Sequence, residues 1–96
     1  MGMTAEQGEP DHCVLLFASI HFVLKAEQLF KAAGIAHEVV PVPRQLSSDC
    51  GMAITVACRE LGPVRTVLAG VISIVRLYRQ EPGGGYSELP ITTDEA

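Results

Sequence analysis

The sequence predicts an α+β fold: a ferredoxin-like β-α-β-β-α-β unit with a four-stranded antiparallel sheet and both helices on one face. Three observations lead there. Short apolar runs rich in strand formers occur four times; a stretch with helical spacing separates the first two, and a proline-started helix separates the last two. The second and third runs are joined by a loop alone. The split β-α-β arrangement is the simplest compact solution for that order, and right-handed crossovers leave the third strand between the first and second.

Each element has a local cause. The first strand is HCVLLFA, 12–18, a run too short and too apolar for a surface helix. Ser19 stands where an N-cap belongs, and IHFVLKAEQLFKAAG follows with Phe22, Leu24, Ala26, Leu29, Phe30 and Ala33 near a helical period. Gly34 is a suitable stop, because glycine enters the left-handed conformation without a Cβ clash. The stretch AHEVVPV, 36–42, alternates and contains Pro41, which suits an edge strand. MAITVAC, 52–58, reads as the third strand. Gly62 and Pro63 open the second helix, which VRTVLAG carries to Gly70. The fourth strand is expected at VISIVRLYR, 71–79.

Only part of the chain has enough apolar residues to fold. Residues 1–11 carry glycine, proline and charge without a hydrophobic period, and 81–96 combine a Gly/Pro-rich start with an acidic end. Both read as disordered tails, since their burial would not offset the entropy of ordering them. That leaves one domain at 12–80, close to the lower size limit for a self-sufficient core. A partner surface is therefore expected. The helix-free face would carry Ala53, Thr55 and Ala57 among apolar neighbours, which points to a homodimer.

Composition excludes several classes of function. A formal charge of −4, two lysines and five aromatic residues do not make a nucleic-acid surface, which needs a basic face or stacking platforms. The longest apolar runs fall far short of the ~18 residues a membrane span needs. No basic-then-apolar leader is visible, so the expected location is the cytoplasm, where the three cysteines would be reduced and a structural disulfide improbable. Cys13 and Cys58 are expected to pack separately as small apolar side chains. No metal or cofactor site is expected. The sequence has no Cys-x-x-Cys pair, Cys50 and Cys58 stand at opposite ends of a strand, and GGG at 83–85 lacks the strand and helix of a phosphate loop.

The loop PRQLSSDCG, 43–51, carries the chemistry. The predicted topology puts it at the sheet edge where the first strand ends and the first helix begins, near Ser19 and His21. A thiolate is the reactive form of cysteine, and a helix N-terminus with a nearby cation favours it. Arg44 and His21 are the candidate cations for Cys50. Ser47 and Ser48 can donate hydrogen bonds to sulfur or to a bound anion, and Gly51 permits a turn that brings backbone N–H groups close to a ligand. Asp49 opposes ionisation of its neighbour unless Arg44 pairs with it. The same residue types also serve ordinary turns, so a functionless loop stands beside the reactive one.

Two stretches, FASIHFVLKAEQLFKAAGI (17–35) and PVPRQLSSDCGMAI (41–54), resemble the bacterial domain-of-unknown-function family 3343, the selenium/sulfur carrier-like proteins. The likeness spans about 12–78, and its most specific part is Pro-Arg-x-Leu-Ser-Ser-x-Cys-Gly. The family's motif cysteine falls on Cys50, its arginine on Arg44, its serines on Ser47 and Ser48, and its glycine on Gly51. Cys13, Cys58 and the Gly62-Pro63 helix start lie outside the features that carry the resemblance.

The resemblance implies a carrier rather than a turnover enzyme. Cys50 would hold a persulfide or selenopersulfide between a donor and an acceptor protein of sulfur or selenium metabolism. The alternative is a ferredoxin-like regulatory module whose loop edge holds a small anion or a partner protein, with Cys50 replaceable by serine. A redox-sensing role for Cys50 would need a resolving cysteine from a partner.

Overall fold

The computed structural model describes residues 11–46 and 51–91. The elements are β1 (His12–Leu16), α1 (Ile20–Ala33), β2 (Glu38–Pro41), β3 (Met52–Ala57), a 3-10 turn (Cys58–Glu60) leading directly into α2 (Leu61–Leu68), β4 (Arg76–Gln80) and β5 (Tyr86–Leu89). The strands form one sheet in the order β2-β3-β1-β4-β5, and every neighbouring pair is antiparallel. The described residues thus make a mixed α+β fold with two helices and five strands.

β1 lies at the centre, and its sequence shows why. Val14, Leu15 and Leu16 are all buried, so the strand is apolar on both faces instead of alternating. Cys13, Leu15 and Phe17 join the main cluster with Ile54, Val56 and Leu77 from the neighbouring strands. Val23, Ala26 and Phe30 of α1 and Val64 and Leu68 of α2 complete that cluster, which places both helices on one sheet face. Val14, Leu16 and Ala53 form a smaller cluster on the other face.

α1 begins and ends as its sequence indicates. The Ser19 carbonyl accepts from the N–H groups of Phe22 and Val23 at 3.1 and 3.2 Å. Gly34 has φ 75°, and its N–H and that of Ile35 bond to Lys31 and Phe30, a left-handed stop that buries Ile35 beneath the helix. His37 follows, its Nδ1 2.8 Å from the Ile35 carbonyl and its ring edge-on to Phe30. The helix surface carries the i,i+4 pair Glu27–Lys31 at 3.7 Å.

Several sequence-based boundaries are corrected. The fourth strand begins at Arg76, not at 71, because Gly70 (φ 76°) turns the chain after α2 and the N–H groups of Val71 and Ile72 bond back to Leu68. Ile72 drops into the core from that turn, and pairing with β1 starts only where the Val75 N–H reaches the Leu16 carbonyl. α2 starts at Leu61, one residue ahead of the expected Gly62-Pro63 opening. Pro63 sits in its first turn, where a missing N–H removes no helical hydrogen bond.

The expected four-stranded sheet has a fifth strand, and the expected tail at 81–96 is ordered through its first part. Glu81 N–H bonds to the Gly85 carbonyl and Gly84 N–H to the Glu81 carbonyl, with Gly84 at φ 100°. The glycines that looked like a tail opening make a hairpin turn. β5 then pairs with β4, Leu77 opposite Leu89 and Gln80 opposite Tyr86, and Leu89 packs against the main core. Arg76–Glu88 at 3.2 Å bridges the two strands.

The helix-free face is not the open patch expected from Ala53, Thr55 and Ala57. Val40, Val42, Leu46, Tyr78 and Tyr86 pack against Val14, Leu16 and Ala53, so one chain covers much of that face by itself.

Cys13 and Cys58, expected as separate thiols, are joined in a disulfide. The β1–β3 register sets His12 opposite Ala57, and the Cys58 N–H bonds to the Asp11 carbonyl at 2.9 Å. The Cα atoms of Cys13 and Cys58 therefore stand 5.2 Å apart, within the range a disulfide spans.

The bridge closes a sequence separation of 45 residues, which a chain-entropy model converts into roughly 4 kcal/mol of stability. Urea unfolding of the oxidised and reduced chain is expected to differ by about 2–4 kcal/mol. Within α1, Phe30→Ala is expected to cost about 3–5 kcal/mol, because Phe30 is fully buried. Phe22, 37 % exposed, is expected to cost about 1 kcal/mol or less when truncated. Equal losses for the two would contradict the helix orientation.

Candidate functional site

The sequence-predicted site begins with the loop between β2 and β3. Its base is closed by the Val42 N–H bonding to the Gly51 carbonyl at 3.0 Å, one residue beyond the Pro41–Met52 pair. β3 continues from there with Ala53 opposite Leu16, the last residue of β1. The chain leaves Leu16 through Phe17 and Ala18 to Ser19 and enters α1. The loop base, the end of β1 and the start of α1 therefore share one end of the sheet.

Within the loop, Pro43 and Leu46 are linked by a Leu46 N–H bond to the Pro43 carbonyl at 3.0 Å, which makes Arg44 and Gln45 the centre of a tight turn. Leu46 packs onto the helix-free face with Val42 and Leu16, while Arg44 is exposed. Gly51 has φ 78° and ends the loop. A left-handed residue is needed at that point for the chain to turn into β3. Ser47, Ser48 and Cys50, together with Asp49, lie outside the described residues.

At the helix start, Ser19 is half-buried and its hydroxyl makes no capping bond, so its side chain is not committed to α1. His21 is exposed, its ring 5.6 Å from Phe22 in an edge-on contact. Among the described residues no hydrogen bond or ion pair joins Arg44 to Ser19 or His21. Leu46 packs on the helix-free side, whereas α1 lies on the other side of the sheet.

Two features escaped sequence reasoning. One is the Cys13–Cys58 bridge at the far end of the sheet. Strand pairing residue by residue was needed to make the two cysteines neighbours. The other is a cavity of about 550 Å³ between the end of α2, the turn that follows and Ile91, lined by Arg65, Leu68, Ile72, Ser73 and Ile74. Arg65 brings a guanidinium to this apolar wall, with Nη2 donating to the Pro90 carbonyl at 3.4 Å and a buried Nε that has no partner among the described residues. Its lining is the segment 65–74 together with Ile91, and no motif in the sequence announces it. Among the described residues no helix is long and apolar enough to cross a membrane.

The loop, its flanking glycine and the helix start all fall inside residues 12–77, the span that matches the family model described as "Putative Se/S carrier protein-like". The chain belongs to this family. The matched span begins with β1 and ends in β4, so β5 lies beyond it. The family membership thus covers the β2–β3 loop and both helices, and also both ends of the disulfide. No curated protein and no solved structure matches the chain.

Gly51 offers a direct test of the loop's exit. A Cβ there would meet no atom within 4 Å, so Gly51→Ala is opposed by backbone conformation alone. A loss of about 1–2 kcal/mol in chemical denaturation is expected. Gly62, inside α2 and equally unobstructed, is the control: Gly62→Ala is expected to stabilise by roughly 0.5–1 kcal/mol.

Proposed function

We propose that the protein carries activated sulfur or selenium on Cys50 and passes it between proteins. The observation that carries this reading is the family match, whose span includes the whole Pro43–Gly51 loop. A second point supports it. Of three cysteines, Cys13 and Cys58 are bonded to each other, which leaves Cys50 as the cysteine outside that bridge.

In this reading the Cys50 thiolate attacks the outer sulfur of a donor persulfide. A new S–S bond forms on Cys50, the donor's S–S bond breaks, and the donor leaves as thiolate. Discharge reverses the roles: an acceptor nucleophile takes the outer atom and the Cys50 thiolate departs. Arg44, His21 and the first N–H groups of α1 favour the anionic forms, Ser47, Ser48 and Ser19 donate to them, and Gly51 shapes the loop. We further propose that the first four strands and the two helices are a ferredoxin-like unit, and that the protein works in the cytoplasm as a homodimer. It acts as a carrier more than as a turnover enzyme.

Intact mass spectrometry after incubation with a cysteine desulfurase and cysteine tests the reading. The chain is expected to gain one sulfur atom that a thiol reductant removes, and Cys50→Ser is expected to gain none. Loading that persists in Cys50→Ser, or no loading of the native chain, leaves the binding-module reading in its place. Alkylation gives a second measurement. Cys50 is expected to react at pH values well below about 8.5, the ordinary thiol value. Removing the opposite charge in Arg44→Ala is expected to shift the rate profile to higher pH, and Asp49→Ala to shift it lower. A profile like that of a free thiol, unmoved by Arg44→Ala, contradicts the activated loop.

A further inference from the structure

We propose that Cys13 and Cys58 form a second, redox-active centre, independent of Cys50, that exchanges electrons with thiols and disulfides of other molecules. Cys58 is the sulfur that incoming groups attack, and Cys13 resolves the mixed disulfide.

The first ground is unequal access. Cys13 is wholly buried in the main core, whereas Cys58 is only partly buried at the end of β3. Cys58 is thus the less enclosed residue of the pair, which favours its sulfur as the one an incoming thiolate meets.

The second ground is that the backbone, not the sulfur bond, holds the two residues together. Five β1–β3 pairs run from His12–Ala57 to Leu16–Ala53, and the Cys58 N–H is anchored on the Asp11 carbonyl. Reduction removes none of these bonds. The two thiols stay at the separation a disulfide needs, so the bridge can open and re-form inside the folded chain.

The surroundings add polarity to this end of the sheet. Arg79 stands opposite Cys13 in the β1–β4 register, and its Nη2 donates to the Asp11 carboxylate at 2.6 Å. Cys58 opens the 3-10 turn that leads into α2, with Glu60 as the acidic residue of that turn. A partly buried sulfur backed by a fully buried partner is the division of labour that dithiol exchange requires.

The electrons balance as follows. A thiolate RS⁻ attacks Cys58 Sγ, the Cys13–Cys58 bond breaks, and Cys13 leaves as a thiolate that takes up a proton. A second thiolate attacks the R sulfur, forming RSSR and releasing Cys58. Two thiols are oxidised to a disulfide and the protein's disulfide is reduced to two thiols. In the opposite direction the Cys58 thiolate attacks a disulfide, and Cys13 closes the bridge and expels the second thiol.

The native chain is titrated in glutathione and dithiothreitol redox buffers, quenched with acid, alkylated and analysed by peptide mass spectrometry. The expected result is joint, reversible labelling of Cys13 and Cys58 with one midpoint, while far-UV circular dichroism keeps its folded signal. A bridge that opens only as that signal is lost is a staple, and the proposal fails. Single-cysteine chains, Cys50→Ser with Cys13→Ser or with Cys58→Ser, are then exposed to oxidised glutathione. The chain that retains Cys58 is expected to gain one glutathione, and the chain that retains Cys13 none. Capture on Cys13, or on neither, overturns the assignment, and the native titration decides the case even if a variant does not fold. Sulfur loading of Cys50 is a separate readout, so either reading can fail alone.

Discussion

Burial of β1 on both faces is the constraint from which the rest of the structure follows. A strand whose consecutive residues Val14, Leu15 and Leu16 are all enclosed needs neighbours on both edges and cover on both sides. β3 and β4 supply the edges. The helices cover the side of Leu15 and Phe17, and they meet each other there through one continuous core. The other side is covered by residues of β2, its loop, β4 and β5, because no helix lies on it.

The two chemically interesting ends of the molecule are the two ends of this strand. At the end near Leu16, the β2–β3 loop closes and α1 begins, so the base of that loop belongs to the sheet's rim rather than to its body. At the end near Cys13, the exit of β3 doubles into a helical turn and places Cys58 beside β1. Five residues of strand separate the two ends. This is about 17 Å at ~3.3 Å per residue.

The loop's attachment also has consequences for how the motif works. Leu46 is held against Val42 and Leu16, so the first half of the loop is anchored by apolar packing while Arg44 stays in water. Gly51 forces the turn back into β3. An anchored entry and a left-handed exit are thus the two fixed points of the loop. Ser19, with its hydroxyl unused by the helix cap, remains available as a donor at the same end.

Much of this was legible in the sequence, and the parts that were not share a cause. The run VLLF, the helical spacing from Ile20 to Ala33 and the stop at Gly34 follow from local preferences, so the sequence determined β1, α1 and the approximate places of β2 and β3 by itself. It also determined that Pro41 belongs to an edge and that the motif loop joins two strands. What only the tertiary structure decided was where pairing stops. VISIV is as good a strand former as any in the chain, yet it forms a turn and a core plug because β1 ends at Leu16 and offers it no partner. YSEL is a poor strand by composition, yet it forms β5 because β4 presents a free edge and the glycines before it can turn. The same rule made neighbours of Cys13 and Cys58. Hydrogen bonding between strands is settled by register across the sheet, a relation between distant residues that no local stretch of sequence contains.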